Sequence, residues 1–587
     1  MSDPSSRRNF IVKSTSVATA AAVSSALVAC GGSDAPAAEF KYGIASGDPL
    51  ADRVILWTHA KIADSAAVVG LTWQVATDAA FASILRSGRI ETSEATSFTA
   101  KVDVTGLTAG ATYFYRFLDE AGTASTIGTT RTLPAANAAS VKFAVFSCAL
   151  YSEGFFNTYD AAAKSDAQYA IHLGDYIYEY GAEPGKFGNT DAVALGRVTS
   201  PANDIVTLGD YRARYARYRS DPNLQALHAK MPWITVWDDH EFANDAYVNG
   251  AENHKTATQG DWNTRKGIAA RVYHEWMPIR TPDAANLLKI YRSFDFGNLF
   301  TLHMLDTRID GRDQQYDNFG DADGGTSRYL TGLKTGTDTS RRMISATQQN
   351  WLTSGMAASK ATWQFLGNQD IMARMWIPSS VLAAQSANPP NPAAVQAAIS
   401  AYLTAKATRA ASAAALTPAQ AGLLNTTLNP TIPFNLDSWD GYPSNREAIL
   451  QAARAQNKKL VALSGDSHNA WFTNLTTLVG VKVGVEFAGS SVTAPGFESA
   501  GLGALASSLD GSALVAQLGA AAVGAGLGLI DDLNYADTIR RGYLLMTVTA
   551  DAVKGEYVFM STVKSQTYTA TVGKTITVAA TGAVTYA

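Results

Sequence analysis

Between residues 141 and 468 six short apolar runs each break off into polar residues. Val141–Phe146 ends in Ser147 and Cys148, Ala170–Leu173 in Gly174 and Asp175, and Ile234–Trp237 in Asp238, Asp239, His240 and Glu241. Leu299–Leu305 ends in Asp306, Thr307 and Arg308, and Phe365–Gly367 in Asn368, Gln369 and Asp370. Leu460–Leu463 ends in Ser464, Gly465, Asp466, Ser467 and His468. Continuous apolar strands belong to sheets covered on both faces. Ligands of open α/β sheets bind at the carboxyl ends of the strands. The six polar ends therefore predict one rim of a single covered sheet, with helices between the strands. Tyr211, Tyr215 and Tyr218 recur at helical spacing and mark one such helix. Arg212, Arg214, Arg217 and Arg219 lie between them and read as a solvated helix face.

At 587 residues the chain exceeds a single core. Residues 39–134 alternate short strands, such as Val54-Ile55-Leu56-Trp57, with turn signals, and predict a small β-sandwich of immunoglobulin or fibronectin type. Residues 134–140 form a linker and 141–587 the larger unit. That unit has Ala-rich, helical additions near 381–432 and a Gly/Ala/Leu-rich addition near 499–530. The second addition reads as a packed or lid-like apolar segment, its glycines arguing against a membrane span. From Gly542 to Ala587 alternating strands return to close a sheet edge.

The N-terminus reads as an address. Ser6-Arg7-Arg8-Asn9-Phe10-Ile11-Val12-Lys13 and the Ala/Val/Ser stretch after it resemble a twin-arginine export signal. Leu27-Val28-Ala29-Cys30-Gly31 resembles a lipoprotein processing site. Residues 1–30 are thus expected to direct export to the periplasm or cell envelope. A lipidated Cys30 would touch the membrane, with residues 31–38 as a tether. The formal net charge is −4 although the leader is basic, so the acidic body should not attract nucleic-acid phosphates. The chain has two cysteines. With Cys30 lipidated, Cys148 has no disulfide partner and is either a buried thiol or a metal ligand.

The polar ends and their neighbours collect Cys148, Asp175, Tyr178, Asp238, Asp239, His240, Asn244, Asp306, Asp466 and His468. So many converging carboxylates with few counter-charges require cations. Hard oxygens suit Ca²⁺, Mg²⁺ or Mn²⁺, whereas a thiolate and a phenolate suit a higher-valent transition metal. Asp466 and His468 point the same way on an extended segment. Of the adjacent Asp238 and Asp239, one faces the metals and the other orients His240 or caps a helix; Asp239 is the favoured ligand.

Ser147-Cys148, Gly174-Asp175-Tyr176-Ile177-Tyr178, Trp237-Asp238-Asp239-His240-Glu241 and Gly465-Asp466-Ser467-His468 resemble the PhoD-type alkaline phosphatase family. The stretch from Phe40 to Pro49 extends the resemblance, which covers about residues 40 to 560. Gly-Asp-x-x-Tyr is shared with purple acid phosphatases, whose histidines differ. The resemblance implies an α/β metallophosphoesterase-like four-layer αββα sandwich behind the N-terminal β domain. It implies Fe³⁺ and Ca²⁺, with Mn²⁺, Mg²⁺ or Zn²⁺ as substitutes, and hydrolysis of small phosphate mono- and diesters. By motif, Cys148, Asp175 and Tyr178 would hold iron. Asp239 (or Asp238), Asn244 and Asp466 would hold or bridge calcium, and Arg197 would touch phosphate. Ala149-Leu150 and Asp245 depart from the family pattern and leave substrate preference open. The expected chemistry is attack of a metal-bound hydroxide on phosphorus, with His240 or His468 protonating the leaving oxygen. Two other readings stand beside it: a phosphodiesterase of lipid headgroups using segment 499–530, and a non-catalytic exported binding lipoprotein.

Overall fold

A computed structural model describes residues 36–316, 329–385, 391–433, 435–499, 509 and 528–587. Ser140–Phe146, Tyr169–His172 and Trp233–Thr235 lie side by side and parallel at the centre of a ten-stranded sheet. Gly542–Thr549 flanks them antiparallel and leads into Ala552–Met560, Ala570–Ala579 and Val584–Tyr586, so the C-terminal strands close this edge as expected. A seven-stranded sheet has a parallel centre of Phe300–Met304, Trp363–Gly367, Lys459–Ser464 and Lys482–Ala488.

The six polar strand ends are thus shared three and three between two sheets, which corrects the single sheet read from the strand ends alone; the αββα arrangement implied by the resemblance has two. Each run has the same local pattern in either sheet, and local pattern does not name the strand that will pair with it. The sheets face each other. Phe300, Leu302 and Met304 enter a core with Phe143, Val145 and Leu544, whereas Leu366, Leu460 and Ala462 enter a second core. That alternation is the period of a strand with apolar layers on both faces. Phe143 meets Phe300 and Phe365 across the interface, with ring centroids 5.5 and 6.0 Å apart. Helices Leu208–Arg219, Pro222–Lys230 and Trp262–Trp276 contribute to the first core, and Ala346–Ala358 and Pro443–Ala455 to the second.

The N-terminal region is less separate than its sequence suggests. Ile44–Gly47 pairs with Trp233–Thr235, so Ile44–Gly47, Arg53–His59 and Thr99–Thr105 extend the ten-stranded sheet. Ile84–Thr92, Val69–Ala76, Thr112–Asp119 and Gly128–Arg131 form a four-stranded sheet. Leu56, Val75, Tyr115 and Phe117 are buried in the core shared by these two layers. Arg292 crosses from the larger unit to Asp48 at 2.7 Å.

Leu208–Arg219 begins at Thr207 with a capping box to Asp210 and buries the three tyrosines. The solvated-face expectation fails for Arg214 and Arg219, whereas Arg212 and Arg217 stay partly exposed. Arg214 is buried and donates to the carbonyls of Tyr178, Ser200 and Pro201. Arg219 is buried with its guanidinium 4.3 Å from the Trp57 ring centroid, and Arg212 clasps Glu275 at 2.8 and 2.7 Å. A guanidinium is satisfied by converging carbonyls as readily as by water, and only tertiary structure brings those carbonyls together. The first addition is helical at Ser379–Gln385, Pro392–Ala411 and Pro418–Leu423. The leader, residues 1–30, and nearly all of 499–530 lie outside the described residues. Among those described, no helix is long and apolar enough to cross a membrane.

Candidate metal centre

The strand ends turn sharply. Cys148, Asp175, Asp466 and His468 have φ of 60°, 55°, 53° and 60°, a left-handed conformation unusual for residues with a side chain. Such strain costs roughly 1–3 kcal/mol per residue and clusters at functional sites. Two glycines permit the close approach. A Cβ on Gly174 would lie 2.3 Å from Asp238 Cβ, and one on Gly465 would lie 2.6 Å from Ser147 Cβ. The first contact joins neighbouring strand ends of one sheet, and the second joins the two sheets. Gln369 adds a further stitch, donating from Nε2 to the carbonyls of Trp237 and Leu305 at 3.0 and 2.8 Å.

These turns gather side chains distant in sequence. Ligand-type atoms of Cys148, Asp175 and His468 lie within 4.8 Å of one another, as do those of Asp175, Asp239 and His240. So do those of Asp238, Asp239 and Asp466, and of Asp370, Asp437 and Asp466. The shared aspartates make the groups contiguous. The Tyr178 hydroxyl donates to Asp175 Oδ2 at 3.1 Å and lies 3.2 Å from His468 Nε2. Asn244 stands beside the group, its N–H donating to Glu179 at 2.8 Å and its Nδ2 to Glu252 at 2.6 Å. The Asp245 N–H donates to Asp239 Oδ2 at 2.6 Å.

Two expected members have other roles. Asp306 accepts the N–H groups of Arg308 and Ile309 at 3.0 and 2.8 Å, bracing its own turn. Arg197 pairs with Asp221 at 2.8 Å, donates to the Tyr151 carbonyl at 2.8 Å and stacks on the Tyr151 ring. Its Nη2 is buried without a hydrogen-bond partner, and among its described contacts none is with the acidic group.

The expectation of few counter-charges is also corrected. Arg308 is fully buried and reaches Asp238 at 2.6 Å, Asp466 at 2.8 Å, Asp437 at 3.0 Å and Asp370 at 3.1 Å. Arg312 pairs with Asp370 at 3.3 Å and also contacts Asp437. Two guanidiniums do not neutralise the group. Burial, reinforced by neighbouring carboxylates, pushes Asp175 and Asp466 well above the carboxylate range. Burial lifts Asp238 to about 8 and Asp370 to about 7 even beside Arg308. Burial and then Asp175 push up the Cys148 thiol.

Sequence reasoning missed two glutamates. Glu241 accepts N–H groups from Asp238 at 2.7 Å, Asp175 at 3.0 Å and Tyr176 at 2.6 Å, clamping two strand ends together. Glu179 lies 2.6 Å from His240 Nδ1 and accepts from Asn244 N and Asn253 Nδ2 at 2.8 Å each. Burial opposes charge on His240, but Asp239, Asp175 and Glu179 outweigh it and hold its pKa well above the usual value. Burial likewise opposes the Glu179 charge, yet His240 draws that carboxyl down to about 2. Their position in and beside motifs with ionisable partners was the available signal. His468 is different: its Nδ1–H donates to the Pro495 carbonyl at 2.8 Å, and burial lowers its pKa to about 3. It is therefore neutral, with the Nε2 lone pair turned toward Tyr178.

A thiol, a phenol, an imidazole lone pair and several carboxylates suit multivalent cations. Asp238 is engaged by Arg308, whereas Asp239 Oδ1 is buried without a hydrogen-bond partner. An orphaned buried carboxylate oxygen is the position a cation would satisfy.

Residues 143–557 match the family model described as PhoD-like phosphatase, and residues 23–134 match the one described as its N-terminal domain. Alkaline phosphatase D of Bacillus subtilis (strain 168) is 32% identical over 480 residues, which span 78% of this chain and 70% of that protein. A solved structure of PhoD aligns with a TM-score of 0.71 at 27% identity, covering 94% of this chain and 93% of that one.

Proposed function

The chain belongs to the PhoD-like phosphatase family, and from that membership we propose a metal-dependent enzyme that hydrolyses small phosphate mono- and diesters. The observation that carries this reading is the meeting of Cys148, Asp175, Tyr178, Asp239, Asp466 and His468 at strand ends of both sheets. Cys148, Asp175, Tyr178 and His468 would hold Fe³⁺. Asp239, Asn244 and Asp466 would hold Ca²⁺, and Asp238, fixed by Arg308, would steer Asp239. When bound, the cations supply the Lewis acidity that activates water and offsets charge building on the phosphoryl oxygens.

The chain's own residues supply the rest. Glu179 and the surrounding carboxylates favour protonated His240, and we assign its proton to the leaving oxygen. His468, held neutral by burial and oriented by its Pro495 hydrogen bond, serves as a ligand and not as the acid. Arg308 and Arg312 hold Asp370 and Asp437 in place beside Asp466. We read the larger unit as a four-layer αββα sandwich and the N-terminal layers as an immunoglobulin-like appendage fused to it.

The twin-arginine and lipoprotein motifs support export to the cell envelope with a lipidated Cys30. Fatty-acid labelling of expressing cells tests this, and an unlabelled mature protein beginning at another residue would refute it. For the enzyme, purified metal-loaded protein should turn over p-nitrophenyl phosphate or bis-p-nitrophenyl phosphate, and Asp175→Ala should abolish that turnover. A wild-type protein inert toward both esters, or a fully active Asp175→Ala variant, would overturn the reading.

A further inference from the structure

The members of the site differ in exposure. Cys148, Asp175, Asp238 and Asp239 are buried, whereas Asn244, Asp245, Asp466 and His468 are only half-buried. The site therefore opens on the side of His468 and Asn244. Phe187 stands on that side. Its ring stacks on the His468 imidazole, with centroids 6.1 Å apart and planes at 24°. It also meets Tyr180 edge-on at 6.1 Å, and Tyr180 lies edge-on to His240 at 5.2 Å. The two aromatic rings thus line up with the two histidines of the site.

Phe187 is 38% exposed, although its segment is held on both sides. Lys186 Nζ pairs with Asp204 at 2.9 Å, and Asn189 Nδ2 donates to the Gly181 carbonyl at 2.7 Å. Gly188, at φ +74°, passes so close to Leu150 that a Cβ there would lie 2.1 Å from Leu150 Cδ2. A large apolar ring fixed in water at the mouth of a polar site is a preformed recognition surface: the cost of ordering it has already been met in folding.

We propose that Phe187 and Tyr180 form an aromatic shelf for the leaving group, selecting phosphate esters of aromatic or heteroaromatic alcohols and of nucleosides over small alkyl esters. The proposal rests on the phosphatase reading and names the substrate class of the same site. A phosphoryl group seated among the strand-end carboxylates and their cations would direct its ester substituent toward the opening, where a planar group can pack against the exposed part of the Phe187 ring. An alkyl substituent offers no such face. Stacking of this kind is worth roughly three- to tenfold in affinity.

The test is calorimetric binding of phenylphosphonate and methylphosphonate to protein carrying its resident metals, which needs no turnover. The wild type should bind phenylphosphonate several-fold more tightly. Phe187→Ala should shrink that preference three- to tenfold, and Phe187→Tyr should retain it. No preference in the wild type, an unchanged preference in Phe187→Ala, or an equal loss for both phosphonates would overturn the shelf. Turnover of p-nitrophenyl phosphate, measured in parallel, reports separately on the phosphatase reading.

Discussion

Arg308→Met removes the guanidinium at the centre of the acidic group while keeping a side chain of similar length. Arg308 Nε and Nη atoms reach four carboxylates within 3.1 Å and Asp239 at 3.7 Å, all from full burial. Breaking a buried ion pair from one side costs about 3–5 kcal/mol, because the remaining charges are stranded. Domains have about 5–15 kcal/mol in all, and in a unit as large as residues 141–587 each kcal/mol shifts the melting temperature by only about 1 °C, so it should fall by about 3–5 °C. The effect should depend on pH. Burial holds Asp238 at about 8 and Asp370 at about 7 in the folded protein, against about 3.9 for an ordinary aspartate. The folded state then keeps protons that the unfolded chain has released. Stability from these groups is therefore greatest at low pH and falls as pH rises from about 4 through about 8. Without Arg308 the fall should be steeper. In metal-free protein, thermal or urea denaturation followed by tryptophan fluorescence should show the full deficit at pH 8.5 and most of it recovered at pH 5.5. Added Ca²⁺ should restore part of the deficit at pH 8.5. A variant within about 1 kcal/mol of wild type at pH 8.5 would refute the view that Arg308 holds this charge cluster together.

Glu179→Gln should lower the His240 pKa, because a partner carboxylate favours the charged imidazolium. If protonated His240 is the acid, the alkaline limb of the kcat/KM profile moves to lower pH; an unmoved limb would remove His240 from that role. Gly465→Ala places a methyl group against Ser147 between the sheets, at a cost of about 1–3 kcal/mol, and should weaken metal retention in equilibrium dialysis. Gly422→Ala, with open space around it in a helix, should leave metal retention as in the wild type. Equal retention in both variants would dismiss the spacing argument.

Much of the site was legible in the sequence, because the chemistry concentrates where apolar runs stop. Asp175, Asp466 and Cys148 announced themselves as polar residues at the ends of buried strands, and the structure places them within one connected group. The preceding glycines were legible as motif but not as mechanism: only the crossing of Gly465 with Ser147 explains why no larger residue fits. Arg308 stands at a strand end that the sequence shows, but nothing local reveals that it pairs with aspartates from four other segments. Arg214 was misread because its burial depends on carbonyls from a remote loop, and Arg219 because it packs on the distant Trp57 ring. The division into two sheets and the fusion of Ile44–Gly47 to Trp233–Thr235 are long-range pairings, and no local pattern specifies them.

The central claim is that strand ends from two sheets build a pocket whose crowded negative charge is made tolerable by bound multivalent cations. Elemental analysis of protein purified without added metal tests it most directly. The account predicts tightly held iron together with calcium or a substitute divalent ion, more than one metal per chain, and loss of that content in Asp175→Ala. Protein that is free of metal yet fully active would contradict it.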